Sequence, residues 1–575
     1  MHLSFLKDFQ PSLFLSLKTY NREKFMADLM AGIIVGIVAL PLAIAFGISS
    51  GVTPEKGIIT AVIAGFFISF LGGSNVQIGG PTGAFIVIVY GIVERHGVEG
   101  LAIATVLAGI MLMLMGFLKL GTVIKFIPYP IVVGFTSGIA LTIFSTQMKD
   151  FFGLTTPKLP SDFFGKWSVY LQCFDTVNWM VLAVGAISVA IIFLTPKISK
   201  KIPGSLIAIV LMTVAAFLLK QYTGFTHIET IGDRFVINSQ LPEMETIGIN
   251  LETIRLLFPE AFTIAMLGAI ESLLSATVAD GVTGYKHNSN MELVAQGVTN
   301  IITPFFGGIP ATGAIARTMT NINNGGKTPV AGIIHAFVLL LILLFLGDLT
   351  KHIPMACLAG VLVVVSYNMS EWRSFLALAK QGKSTLAVLL TTFILTVVFD
   401  LTIAIEVGLL LAVFVFLKRM SESTHISHTT GKIDLSKEME SHTGNLENET
   451  LYLPKGVEVY EIDGPFFFGI ANKFDEKMRE IGERPNIRII RMRKVPFIDS
   501  TGLRNLETLC KNSAKEKIQV ILSGVNPDVR KSLEKSAIPA IINEKNICSN
   551  IHLAVERSKE IDYQLKKVVK SDADN

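Results

Sequence analysis

The chain has 575 residues, half of them hydrophobic, and only 17% are charged; a soluble protein carries about a quarter, so a mean hydropathy of +0.54 excludes a wholly soluble fold. The formal net charge of +4 is small and no basic tract stands out, which argues against nucleic acid as a partner. Four cysteines (Cys173, Cys357, Cys510 and Cys548) lie far apart without a CxxC pair, so no disulfide framework, zinc site or other metal or cofactor is expected.

Residues 1–25 lack an apolar stretch followed by a small-residue cleavage site, and read as a cytoplasmic amphipathic lead-in. Residues 26–418 read as a membrane domain: between Leu101 and Gln147 the only charges are Lys119 and Lys125, and charges become frequent only after Lys418. Apolar runs fall near 27–47, 56–72, 82–93, 98–118, 127–147, 177–194 and 204–220, then near 260–279, 290–306, 311–323, 329–347, 352–368, 384–399 and 401–417. That is about fourteen spans, seven in each half. Most are long enough for roughly 30 Å of hydrocarbon; the two that open at Pro81 and Pro310 are not. With the N-terminus inside, the inner loops hold Lys119, Lys125, "TPKISKK", Lys286, Lys327, "EWRSFLALAKQGK" and "KRM". The outer stretch 221–258 has five acidic residues and two arginines. This bias predicts an even number of crossings with both termini cytoplasmic.

The two short spans match. "IGGPTGAFIVIVYGI" (78–92) and "FGGIPATGAIARTMTNI" (306–322) each open on a Gly-Gly pair, a proline, then Thr, Gly and Ala, and each is the third span of its half. Interrupted spans at corresponding places in two halves point to a transporter's binding site, and seven spans per half make the second half inverted. A helix that begins at mid-membrane leaves its first N–H groups unpaired and carries a positive dipole end. Proline suits its first turn, and Gly80, Gly83 and Gly313 let backbone approach a ligand. The expected guest is an anion held by amides near Thr82, Gly83, Ala84, Gly313, Ala314 and Ile315. Close helix packing is the alternative use for these small residues.

Arg317 follows two residues later, where a charge at membrane depth needs a partner or an aqueous cavity. It either draws anions or pairs with carbonyls or Glu271. Glu271 lies midway along the apolar run before it, with Ser275 one turn on. A carboxyl there is the coupling-ion candidate, as a proton carrier or with Ser275 as a sodium ligand; a fixed partner for Arg317 is the alternative. Glu406, nearer a helix end, reads as structural. "NNGGKT" lacks the first glycine of a phosphate-binding loop, since 321 is Asn321.

Residues 419–452 are polar and read as a linker. Across 453–565, "GVEVYEID" alternates as a strand, "ANKFDEKMREIGE" as an amphipathic helix, and "IRIIRMRKVPFID" and "KIQVILSG" as further strands, which makes a small α/β domain ahead of a tail, 566–575. "DSTG" (499–502) joins strand to helix, where Ser500 or Thr501 is a candidate for phosphorylation or phosphate binding; the plainer alternative is a helix cap.

Together these pieces resemble the SulP family of anion transporters, whose animal members include chloride, bicarbonate and sulfate exchangers and prestin. The resemblance covers nearly the whole chain and rests on "LPLAIAFGISSGVTPEKG" (40–57), "GGPTGAF" (79–85) and the block 269–318, from "AIESLLSATVADG" to "GGIPATGAIART". The tail resembles a STAS domain through "FIDSTGL" (497–503). It implies an α-helical membrane protein of fourteen helices in two inverted seven-helix repeats, followed by the α/β STAS domain. Spans 1–4 and 8–11 would form a core that moves like an elevator against a gate of spans 5–7 and 12–14, in a homodimer. By position, the anion site would be Phe46 and neighbours on span 1, Thr82 on span 3 and Gly313–Ile315 on span 10, with Arg317 matching an arginine common beside the substrate. Sodium-coupled bicarbonate members have an aspartate at Glu271 and a hydroxyl residue at Ile315. Glutamate resembles bacterial proton-coupled relatives, so proton symport is expected over sodium. Leu42 stands where many animal relatives have glutamine, and Thr501 where the STAS motif has serine.

The expectation is thus a bacterial inner-membrane symporter of a small anion, of the sulfate, bicarbonate or dicarboxylate kind, with no covalent chemistry. The STAS domain would be the place for a cytoplasmic partner. The rivals are an anion channel of the same architecture, in which Glu271 is structural, and a nucleobase or other neutral-solute carrier.

Overall fold

Helix signals in the sequence set where the apolar runs begin and end. The structure, a computed structural model, describes residues 9–573 except 125–126, 161, 199–202, 224–227, 237–243, 245, 249, 400, 435–449, 469 and 471–483. Helix α1, Arg22–Ser49, opens on Asn21, whose side chain accepts the Lys24 amide at 2.9 Å. Helix α2, Pro54–Leu71, opens on a proline at its first position. Two residues of extended chain, β1 (Gly79–Gly80), lead into α3, Phe85–Phe117. Helices α4 (Tyr129–Phe152), α5 (Trp179–Ile198) and α6 (Gly204–Thr223) complete the first half.

The second half begins with α7, Leu251–Thr283, capped by reciprocal bonds between Asn250 and Thr253. Helix α8 (Ser289–Ile302), the strand β2 (Thr312–Gly313) and the short α9 (Ile315–Asn323) follow. Then come α10 (Val330–Thr350), α11 (Met355–Met369), α12 (Trp372–Ala379), α13 (Lys383–Val398) and α14 (Leu401–Ser423). Among the described residues nine helices are long and apolar enough to cross a bilayer. The expected spans 82–93 and 98–118 are two helices within α3, broken from each other at Gly97 (φ 70°, ψ −177°). Counted twice, and with the short α12 set aside, it brings the segments to fourteen.

The segments sort into two packing groups. Helices α1, α2, α3, α7, α8, α9 and α10 pack on one another, as do α4, α5, α6, α11 and α13. Small residues set the close crossings: a Cβ on Gly109 of α3 would lie 2.7 Å from Gly297 O of α8, and one on Gly297 would lie 2.6 Å from Gly109 O. This is the expected core and gate.

The chain divides into two compact units, Met1–Ala412 and Val413–Asn575. The second holds a five-stranded sheet of β3 (His425–Thr430), β6 (Val457–Asp463), β7 (Ile487–Lys494), β8 (Gln519–Ser523) and β9 (Ile547–Cys548) in that spatial order, with β3 antiparallel and the rest parallel. Strands β4 (Lys432–Asp434) and β5 (Thr450–Tyr452) pair separately. One face of the sheet packs Ile490, Met492 and Leu522 against α15 (Ser500–Lys515). The other packs Ile487, Ile489 and Ile521 against the terminal helix Ile551–Ala573. Parallel strands buried on both faces need this doubly apolar pattern.

Two expectations change here. The stretch 419–452 is not all linker, because "HISHTT" pairs along β6 as a polar edge strand whose outer face stays in water. The tail 566–575 is helical up to Ala573, continuing the terminal helix. The helix expected from "ANKFDEKMREIGE" (471–483) lies outside the described residues.

Candidate anion site

The two interrupted spans are tied to each other. Strands β1 and β2 form a two-residue antiparallel ladder, Gly79 opposite Gly313 and Gly80 opposite Thr312, and the Ala314 amide adds a bond to Ile78 O at 2.9 Å. The helices start later than expected, at Phe85 and Ile315, so Pro81 and Pro310 lie in the extended lead-ins and not in the first turns.

Extended backbone inside a membrane protein must have its polar groups satisfied by its surroundings. Side chains of the helices around it do this. Asn300 of α8 takes the Ala311 amide on Oδ1 at 2.9 Å and donates to Ala311 O at 2.8 Å. The Thr60 hydroxyl accepts the Ile309 amide at 2.8 Å, the Thr318 hydroxyl accepts the Ile78 amide at 3.1 Å, and the Thr312 hydroxyl donates to Gly268 O at 2.8 Å. Asn321 donates to Val76 O at 2.8 Å.

The helix ends leave donors over. In α9 the first amide to find a helical carbonyl is that of Thr318, on Ala314 O, which leaves those of Ile315, Ala316 and Arg317 without a partner among the described residues. In α3 the Phe85 and Ile86 amides close on Thr82 O and Gly83 O, leaving those of Gly83 and Ala84 without a partner among the described residues. Both ends line one cavity of about 350 Å³. Leu42 and Phe46 of α1 line it, with Val132, Phe135 and Thr136 of α4, Leu267, Ile270, Glu271 and Leu274 of α7, and Val365, Asn368 and Met369 of α11. The cavity therefore lies between core and gate.

Most of the expected site residues converge there: Phe46, Thr82, Gly83, Ala84, Ala314, Ile315, Arg317 and Glu271 all line the cavity. Gly313 and Ser275 do not. Gly313 pairs in the ladder, and a Cβ on it would meet Gln77 Nε2 at 1.6 Å. The Ser275 hydroxyl donates to Thr318 Oγ1 at 3.3 Å. With the Ala314 amide tied to Ile78, the open amide row of the second helix is, among the described residues, Ile315–Arg317, two residues further on than expected.

Arg317 is 2% exposed, and its guanidinium reaches back across the ladder to Gly79 O (3.5 Å) and Pro81 O (3.2 Å). Among the described residues it has no carboxylate partner, so its ties are to carbonyls of the first repeat and not to Glu271. Gly80 makes room for it: a Cβ there would sit 1.9 Å from Arg317 Nη1. Glu271 Oε2 instead accepts the Thr82 hydroxyl at 2.8 Å, linking the coupling candidate to the first half-helix. Glu406 is exposed on α14.

Two buried acids were not singled out from the sequence. Asp28 accepts the amides of Lys327 (2.7 Å) and Thr328 (3.1 Å) and the hydroxyls of Thr328 (2.5 Å) and Tyr20 (3.2 Å), holding α1 to the start of α10. Glu292 accepts from Gly73 N (2.9 Å), Ser272 (3.2 Å) and Gln296 (2.9 Å). A signal for Glu292 existed: Asn288, Glu292, Gln296 and Asn300 repeat every four residues, a polar stripe on one face of an otherwise apolar helix.

In the second unit Asp499 caps α15, its carboxylate accepting the Gly502 amide at 2.7 Å. Ser500 and Thr501 are exposed on the first turn. The capping role of "DSTG" therefore belongs to the aspartate, and the two hydroxyls take no part in it.

The sequence profile of the sulfate permease family matches residues 25–392, and that of the STAS domain matches 450–554. The chain belongs to the sulfate permease family. It is 40% identical over 522 residues to a putative sulfate transporter, YvdB, of Bacillus subtilis, covering 91% of this chain and 95% of that one. It is 31% identical to the bicarbonate transporter BicA of Picosynechococcus, covering 88% and 90%. Among solved structures, the transmembrane domain of a cyanobacterial BicA matches with a TM-score of 0.60 at 30% identity, over 68% of this chain and 98% of that one. Murine solute carrier 26 member A9 matches in fold, with a TM-score of 0.83 at 19% identity over 97% and 95% of the two chains. The family consists of transporters and not enzymes, and its members span the membrane many times.

Proposed function

We propose that this protein is a secondary active transporter of a small anion, of the sulfate, bicarbonate or dicarboxylate class, in a bacterial inner membrane. One observation carries the reading: two half-length helices, pinned by the Gly79–Gly313 ladder, aim their amino ends into a single cavity. Unpaired amides and two positive dipole ends favour an anion there. Arg317, which has no carboxylate partner among the described residues, adds a positive charge behind them. Relatives named for sulfate and for bicarbonate transport agree with an anionic cargo.

Proton symport is the favoured coupling. Glu271 faces the cavity with Leu267, Ile270, Leu274 and Ile315 around it, and its hydrogen-bond partner is the Thr82 hydroxyl. Sodium needs several oxygens, and Ser275, the expected second ligand, is engaged by Thr318 and does not line the cavity. A carboxyl that trades a proton would alter its bond to Thr82 and with it the half-helix that holds the anion. The core would carry this unit past the gate as an elevator, in a homodimer with both termini cytoplasmic.

The test is uptake of radiolabelled sulfate, bicarbonate and dicarboxylates into proteoliposomes under an imposed pH gradient. Uphill accumulation of at least one anion, lost in Glu271→Gln, is the expected result. Flux that only runs downhill would make the protein a channel. Uptake of a nucleobase unaffected by excess anion would place it with neutral-solute carriers.

A further inference from the structure

Three charged residues line the cavity: Arg317, Glu271 and Glu371. The last has no role in the reading above. It lies just beyond the end of α11 and caps α12 with a left-handed backbone, φ 42° and ψ 35°. A glutamate held there is strained by about 1–2 kcal/mol, and such strain persists only where the surroundings enforce it. The Tyr129 hydroxyl donates a hydrogen bond to Glu371 Oε2 at 3.1 Å.

The positions fix where this pair sits. The cavity is lined by Val132, Phe135 and Thr136, one to two turns inside the first residue of α4, which is Tyr129. It is also lined by Asn368 and Met369, the last turn of α11. Glu371 and Tyr129 therefore stand at the end of the cavity nearest the membrane face where α4 begins and α11 ends. Glu371 is half-buried, and no ion pair among the described residues includes it.

We infer that Glu371 is a charge-selecting residue at the mouth of the anion cavity, disfavouring dianions relative to monoanions. The inference rests on the cavity being the anion's, as proposed above. A fixed negative charge beside the entry repels each arriving anion with an energy proportional to that anion's charge. A penalty of about threefold on a monoanion thus becomes about tenfold on a dianion. Opposing fields are then divided between two places: the helix ends and Arg317 hold any anion, and Glu371 grades them by charge.

The experiment compares apparent affinities for a monoanion (bicarbonate) and a dianion (sulfate) in proteoliposomes, with wild type, Glu371→Gln and Glu371→Asp. Removing the charge is expected to tighten both, the dianion by the square of the factor seen for the monoanion, with the difference shrinking as ionic strength rises. Glu371→Asp keeps the charge and is expected to keep the wild-type ratio. Glu371→Asn, whose side chain tolerates left-handed backbone, repeats the charge loss should the glutamine variant fail to fold. An unchanged ratio in Gln and Asn, or an equal shift in Asp and Gln, overturns the inference while leaving the anion cavity standing. Absence of uptake of any anion by wild type overturns the cavity's assignment and this inference with it.

Discussion

Gly80→Ala adds a single methyl group at the point where the two repeats meet. Its carbon would lie 1.9 Å from Arg317 Nη1 and 3.1 Å from Cζ, whereas ordinary contact begins at 3.4 Å. The guanidinium must therefore retreat by about 1.5 Å, the difference between 3.4 and 1.9 Å. Its bonds to Gly79 O and Pro81 O, at 3.5 and 3.2 Å, cannot survive that shift. Two bonds from a charged donor, at about 1.5 kcal/mol each, sum to about 3 kcal/mol, or on the order of a hundredfold in the occupancy of the working arrangement. The tip of an arginine is mobile, so the fold should persist. The assay is initial-rate anion uptake alongside the melting temperature of the purified protein. Uptake is expected to drop by roughly two orders of magnitude, with a modest fall in melting that reports the strain of alanine at φ 155°. In an Arg317→Ala background the clash with the guanidinium is gone and only the backbone cost of alanine at φ 155° remains, so the methyl should cause a much smaller further loss. Wild-type uptake by Gly80→Ala, or additive losses in the double variant, would refute the placement of Arg317.

Thr82→Val removes the hydroxyl on Glu271 and is expected to lower accumulation under a pH gradient several-fold while downhill flux persists; equal loss of both would make Thr82 a binding residue alone. Asp28→Ala leaves the Lys327 and Thr328 amides without their acceptor at a buried helix start, which costs about 2–4 kcal/mol, read as a fall in melting temperature larger than that of Asp28→Asn. In the STAS domain, burial, with Glu507 adding to it, pushes the Cys510 thiol up from near 9 to about 12. A raised value means the neutral thiol is favoured when folded, so its contribution to stability is complete below about pH 9 and is lost as pH climbs toward 12. Hydrogen exchange of β7 and β8 in the full-length protein should show that loss in wild type, and a flatter pH dependence in Cys510→Ala.

Much of the helical frame was legible because hydropathy and caps are local. The run 204–220 became Gly204–Thr223, and 384–399 became Lys383–Val398. The break at Gly97 falls between the expected spans 82–93 and 98–118. The matching Gly-Gly-Pro segments located the cavity, but a helix start was read at each proline. The ladder that delays both starts joins residues more than 200 apart in the chain and is two residues long, below any periodicity. The same cause hid the engagement of the Ala314 amide and the reach of Arg317 to Gly79 and Pro81. Asp28 was not singled out because its partners Lys327 and Thr328 lie about 300 residues further along the chain. "HISHTT" was passed over as linker because an edge strand with a wet face has little hydrophobic signature.

The central claim is that one anion sits between the amino ends of α3 and α9. A cryo-electron microscopy map of the purified protein at saturating sulfate, or selenate as its heavier analogue, tests it most directly. The account predicts added density touching the amides of Gly83–Ala84 on one side and Ile315–Arg317 on the other. Ordered anion density elsewhere in the membrane unit, with this cavity unchanged, would contradict it.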